Sequence, residues 1–141
     1  MNRNKFLSVL GVSAGTVIFA PFLQSCTYAN SGLAPVSAGS IDFTLDLTLP
    51  AFAALNADGG SLVKNGVIVV RTAPDVYVAL SSACTHEGAT IGFNVAANRF
   101  ICPLHGANFS TAGSVLMGPA LRPLIKYNTT LSGGTSLRVY A

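Results

Sequence analysis

The sequence predicts an all-β protein, a small antiparallel sandwich or barrel. Three observations predict it. Fourteen glycines and seven prolines in 141 residues imply many turns. Apolar residues alternate with polar ones from Ile41 onward. No segment keeps a helical period.

Ile41, Phe43, Leu45 and Leu47 alternate with Asp42, Thr44, Asp46 and Thr48, the pattern of a half-buried strand. Pro50 ends it, and Ala51 to Leu55 suits one helical turn. Asp58-Gly59-Gly60 reads as a turn. Lys64-Asn65-Gly66 reads as a hairpin, because Asn-Gly tolerates positive φ at both positions. The β-branched run Val67 to Thr72 reads as a buried strand. Pro74-Asp75 turns the chain into its partner, Val76 to Ser81. Leu124 to Thr129 and Ser136 to Tyr140 flank Gly133-Gly134 and form a last hairpin.

The N-terminus reads as an address. Arg3 and Lys5 precede an apolar stretch from Phe6 to Leu23, so residues 1–25 are read as an export signal and left out of the fold. Leu23-Gln24-Ser25-Cys26 resembles a bacterial lipobox. That resemblance implies cleavage before Cys26 and lipidation of its thiol. The start, Arg3-Asn4-Lys5-Phe6-Leu7, also resembles a twin-arginine signal with Asn in place of the second Arg. An uncleaved N-terminal membrane helix is the alternative, since about 18 apolar residues can just span a bilayer. Either reading tethers the domain on the periplasmic side of a bacterial membrane. Residues 26–40 carry no charge and are rich in Ala, Ser, Gly and Pro, as a flexible tether is. The domain proper is 41–141.

Charged residues make up only 9% of the chain and the net charge is +3. This excludes a disordered polyelectrolyte, a coiled coil and a nucleic-acid binder with a basic face. No Ser/His/Asp set or phosphate loop is visible. Glu87, Asp75 and Asp58 read as solvated turn residues. The chemistry lies in Cys84-Thr85-His86 and Cys102-Pro103-Leu104-His105-Gly106. Each motif pairs a thiolate donor with an imidazole, and each follows an apolar strand segment, Val78 to Leu80 or Phe100-Ile101. Two Cys and two His can bind zinc, although zinc sites commonly pair Cys with Cys and His with His at short spacing.

The mixed pattern resembles the Rieske iron–sulfur family: Cys-x-His, a gap of fifteen residues here, then Cys-x-x-His. The likeness runs from about residue 61 to 140. It includes Gly88, Gly106, and Gly118-Pro119-Ala120-Leu121-Arg122-Pro123, which resembles the family's proline loop. The resemblance implies a two-loop cluster-binding subdomain on the β fold. It implies a [2Fe-2S] cluster with Cys84 and Cys102 on one iron and His86 and His105 on the other. It gives Gly88 and Gly106 the role of letting backbone N–H groups approach sulfur, and Gly118 and Pro119 that of covering the cluster. Among three cysteines, Cys26 is left for lipid.

Two departures stand out against the family. Some members clamp the loops with a disulfide; the corresponding places here are Thr90 or its neighbours and Leu104, with no Cys available. Leu104, Ile91 and Leu121 are candidates for an apolar clamp instead. High-potential members also place Ser and Tyr where this chain has Ala107 and Phe109. Their hydroxyls stabilise the reduced cluster, so their loss implies a potential on the order of 100 mV lower. The resemblance implies single-electron transfer to or from a redox partner protein, by an electron carrier or by an oxidoreductase subunit rather than a complete enzyme. The subunit reading points to an arsenite-oxidase-like enzyme or a quinol-oxidising complex. A structural zinc module is the remaining alternative.

Overall fold

A computed structural model describes residues 41–141. The export signal, the tether and Cys26 lie outside the described residues. Among the described residues no helix is long and apolar enough to cross a membrane.

Among the described residues ten strands form two antiparallel sheets. The larger comprises β1 (Asp42–Asp46), β2 (Ser61–Lys64), β3 (Val67–Ala73), β4 (Val76–Ser81), β9 (Lys126–Ser132) and β10 (Ser136–Tyr140). Its order is β1-β10-β9-β4-β3-β2. The smaller sheet takes β5 (Gly92–Asn94), β6 (Arg99–Ile101), β7 (Asn108–Phe109) and β8 (Val115–Met117) in sequence order. Pro50–Asn56 is a 3₁₀ helix, one residue longer at each end than Ala51 to Leu55. The last hairpin begins at Lys126 rather than Leu124. Leu124 is buried, but its N–H bonds the Gly113 carbonyl instead of a neighbouring strand.

The β2–β3 turn has φ of 51° at Asn65 and 76° at Gly66, as an Asn-Gly hairpin requires. Strand β3 shows why its apolar run is unbroken. Val67 and Val69 face one core, with Leu45, Leu55, Tyr77, Ala79, Leu137 and Val139. Ile68 and Val70 face a second core, with Leu80, Phe100, Phe109 and Leu124. A strand buried on both faces cannot alternate. The second core joins the large sheet to the small one, and Cys84 and Cys102 belong to it. The first Cys/His loop runs from β4 of the large sheet to β5 of the small one, and the second joins β6 to β7 within the small sheet.

Candidate metal centre

The first loop leaves β4 and the second leaves β6. They are built alike. Cys84 N–H bonds the Ala89 carbonyl at 2.8 Å, and Gly88 N–H bonds the Cys84 carbonyl at 2.8 Å. In the second loop Cys102 N–H bonds the Ala107 carbonyl at 2.8 Å, and Gly106 N–H bonds the Cys102 carbonyl at 3.0 Å. Each loop is thus a closed turn between a cysteine and a glycine four residues on. Both glycines sit at positive φ, 77° and 74°, which a side chain opposes.

The N–H groups of Gly88 and Gly106 themselves go to cysteine carbonyls. The groups that reach sulfur are the N–H of His86 and Glu87, on Cys84, and the N–H of Leu104 and His105, on Cys102. The glycines bend the loop so that the residues between can do this.

The two thiols are buried. Burial pushes the Cys84 thiol up from its ordinary value, with Cys102 adding to the rise against the His86 and Glu87 N–H groups. Burial acts on Cys102 too. There the Leu104 N–H, the Cys84 thiol and the His105 N–H outweigh it and hold Cys102 below its ordinary value. Of the two thiols, Cys102 is therefore the more acidic.

His86 and His105 stand outside, both exposed, with ring centroids 5.0 Å apart and planes at 82°. Glu87 Oε2 lies 3.6 Å from His105 Nδ1. Donor atoms of His86, Glu87 and His105 lie within 4.8 Å of one another, and neither sulfur belongs to that group. Two buried sulfurs and two exposed imidazoles suit a group with two metal ions of unlike ligation. A single zinc ion needs all four donors to converge on one point.

The proline loop lies beside the first loop. Thr85, His86, Pro119, Leu121 and Arg122 line a shallow groove of about 340 Å³. The Gly118-Pro119 bond is cis. Thr85 Oγ donates to the Arg122 carbonyl at 2.6 Å. The expected apolar clamp does not form. Ile91 is buried, but Leu104 is 55% exposed and Leu121 is 92% exposed. Both leucines sit at loop crests, where the side chain points outward and the closing contacts are backbone hydrogen bonds.

Ala107 and Phe109 are fully buried in the second core. Between them Asn108 donates its amide to the Gly106 carbonyl at 2.8 Å and to Met117 Sδ at 3.6 Å. Its donors therefore do not replace the hydroxyls that Ala107 and Phe109 lack. Motif spacing alone gives Asn108 no ties to Gly106 or Met117. The signal was a polar residue between two apolar ones, Ala107 and Phe109, in a short apolar strand.

Fold and donor set together define a small β protein of the iron–sulfur electron-transfer class. A model of the Rieske [2Fe-2S] domain matches residues 52–128, more than half of the chain. The chain belongs to the Rieske [2Fe-2S] family, and its cofactor is the Rieske [2Fe-2S] cluster. The match begins earlier than residue 61, in the 3₁₀ helix, and ends in β9. The iron–sulfur subunit of the cytochrome b6-f complex from Synechococcus elongatus is 28% identical over 144 residues, covering 94% of this chain and 80% of that protein. The crystal structure of the cyanobacterial plasma membrane Rieske protein PetC3 from Synechocystis PCC 6803 is similar at a TM-score of 0.54 and 36% identity, covering 63% of this chain and 93% of that one. The ferredoxin of carbazole 1,9a-dioxygenase from Nocardioides aromaticivorans is similar at a TM-score of 0.52 and 27% identity, covering 62% and 91%. The function of this chain is electron transfer through its cluster. When bound, the cluster takes up and gives back one electron.

Proposed function

We propose that this protein is a membrane-tethered, extracytoplasmic carrier of single electrons, with the cluster held by Cys84, His86, Cys102 and His105. The observation that carries the ligand assignment is the pairing of two buried thiols with two exposed imidazoles on loops of one design. The thiolates anchor the inner iron and receive backbone N–H groups that favour their charge. The imidazoles place the outer iron at the surface, where a redox partner protein can approach. Gly88, Gly106, Gly118 and Pro119 shape the loops, and buried Ala107 and Phe109 keep hydroxyls away from the sulfurs.

The tether rests on Leu23 to Cys26 and on the uncharged residues 26–40. The mature chain begins at lipidated Cys26 and the domain spans 41–141. Mass spectrometry of the membrane fraction tests this: an acylated chain starting at Cys26 is expected, and Cys26→Ser releases the protein. A full-length chain starting at Met1 replaces the lipid anchor with an N-terminal helix.

A second reading makes the chain a subunit of a larger quinol-oxidising complex. What favours it is the likeness to iron–sulfur subunits of cytochrome b6-f complexes. Against it stand Ala107 and Phe109, because quinol oxidation needs a high potential. Native electrophoresis of solubilised membranes separates the two: a carrier migrates near its own size, and a subunit migrates with partners.

A further inference from the structure

We propose that Asn108 is a positioning residue that fixes the second cluster loop to the proline loop, in a chain whose loops have no disulfide. Asn108 is one of three buried polar residues among those described, the others being Ser81 and Ser82. It lies on β7, opposite Ile101 on one side and Met117 on the other. Both acceptors of its amide, the Gly106 carbonyl and Met117 sulfur, accept only, so the NH₂ group faces them both. Gly106 follows His105 directly. Met117 precedes Gly118-Pro119 directly. One side chain therefore bridges the residue after an iron-ligand candidate and the residue before the proline loop.

The register tells the same story. Opposite Asn108 and Phe109, strand β8 spends three residues, Val115 to Met117, so the ladder is bulged there. A bulge re-aims the strand and weakens the backbone ladder at that point. The Asn108 amide supplies a link where the ladder is interrupted.

Comparison of the two loops isolates the role. Both are closed by the same pair of backbone bonds. Thr90 holds the place in the first loop that Asn108 holds in the second, six residues after the cysteine. Thr90 is exposed and pairs with Ala83 only through a backbone bridge. The first loop is fastened to the proline loop from another point, by Thr85 to the Arg122 carbonyl. The proline loop is thus held at its N-terminal stem by Asn108 and at its C-terminal stem by Thr85. A buried amide costs free energy unless it is paired, so its gain is in placement rather than in global stability.

Hydrogen exchange on the oxidised holoprotein, read segment by segment, tests this. Asn108→Leu keeps the branching at Cγ, adds bulk and removes both donors. It is expected to speed exchange about tenfold in 103–107 and 115–122, while β3, β9 and β10 stay unchanged. The electron paramagnetic resonance spectrum of the reduced cluster should broaden, since His105 is less fixed. Exposed Met117→Leu removes only the sulfur acceptor and should loosen 115–122 alone, with an unchanged spectrum. If Asn108→Leu yields no holoprotein, Met117→Leu decides on the proline-loop segment and Asn108→Thr, with one donor, on the other. Unchanged exchange in both segments, or an equal rise across the whole domain, overturns the proposal.

Discussion

Thr85 Oγ donates a 2.6 Å hydrogen bond to the carbonyl of Arg122, joining the Cys84–His86 motif to the proline loop across 37 residues of sequence. The bond is short and reaches an otherwise exposed stem. It holds the first loop in a domain that has no disulfide between the loops among the described residues.

Thr85→Val should therefore keep the fold and weaken the hold on the proline loop. One hydrogen bond is worth about 1 kcal/mol, or roughly fivefold in loop opening. The rate of cluster loss under mild chelation should rise by about that factor, and Thr85→Ser should restore it. An unchanged rate in Thr85→Val would show that the groove residues hold the loop without the hydroxyl.

The redox potential is set by what surrounds the sulfurs. Ala107 and Phe109 are buried and bring no hydroxyl. Ala107→Ser and Phe109→Tyr should each raise the midpoint by on the order of 40 mV, the equivalent of a hydrogen bond of about 1 kcal/mol in a one-electron couple. The unmodified protein should lie in the lower part of the family range, which spans about −150 to +300 mV. Protein-film voltammetry measures all three. A midpoint near the top of the range would mean that the four backbone N–H groups at Cys84 and Cys102 already supply the missing stabilisation.

Alkaline stability follows from two tyrosines in the first core. Burial raises the phenol of Tyr77 above its ordinary value, modulated by Arg71, Asp75 and Asp58, and burial alone raises that of Tyr127. The folded chain holds these protons more tightly than the unfolded chain. Their contribution is whole below the unfolded value of about 10 and is lost as pH rises through the folded values. Urea midpoints followed by circular dichroism should fall from pH 9 to about 11. The decline should be shallower in Tyr77→Phe and Tyr127→Phe. Equal slopes in all three proteins would contradict this.

The sequence carries the large sheet well because its signals are local. Asn65-Gly66 dictates a turn, and the run from Val67 marks a strand buried on both sides. Of the small sheet only Phe100-Ile101, in β6, was legible. Its strands have two or three residues, too few for any period to emerge, and they exist because the loops between them close on themselves. The four candidate ligands were legible because donor type and spacing are written in the chain. How the loops are held was not. Leu104 and Leu121 look like a clamp by composition, yet they sit on crests, and the ties come from Thr85 and Asn108 to backbone carbonyls far away or around a turn. Such bonds depend on tertiary placement, which apolar pattern does not encode.

Loss of a candidate ligand should be all or none. Cys84→Ser or His105→Ala leaves three donors for two irons, and no other cysteine or histidine stands among the described residues to replace it. Visible absorption from the cluster should vanish in either variant. A variant that keeps a full complement of iron would show that the assignment of that residue is mistaken.

In the proposed assignment one iron carries two sulfur ligands from Cys84 and Cys102 and the other carries two nitrogen ligands from His86 and His105. Electron–nuclear double resonance on the reduced protein, isolated with its cluster, reads this directly. Two inequivalent nitrogen couplings of ligand strength are expected, absent when the cluster is lost in His105→Ala. A reduced cluster without ligand nitrogens, or a native protein that holds zinc and gives no such spectrum, would contradict it.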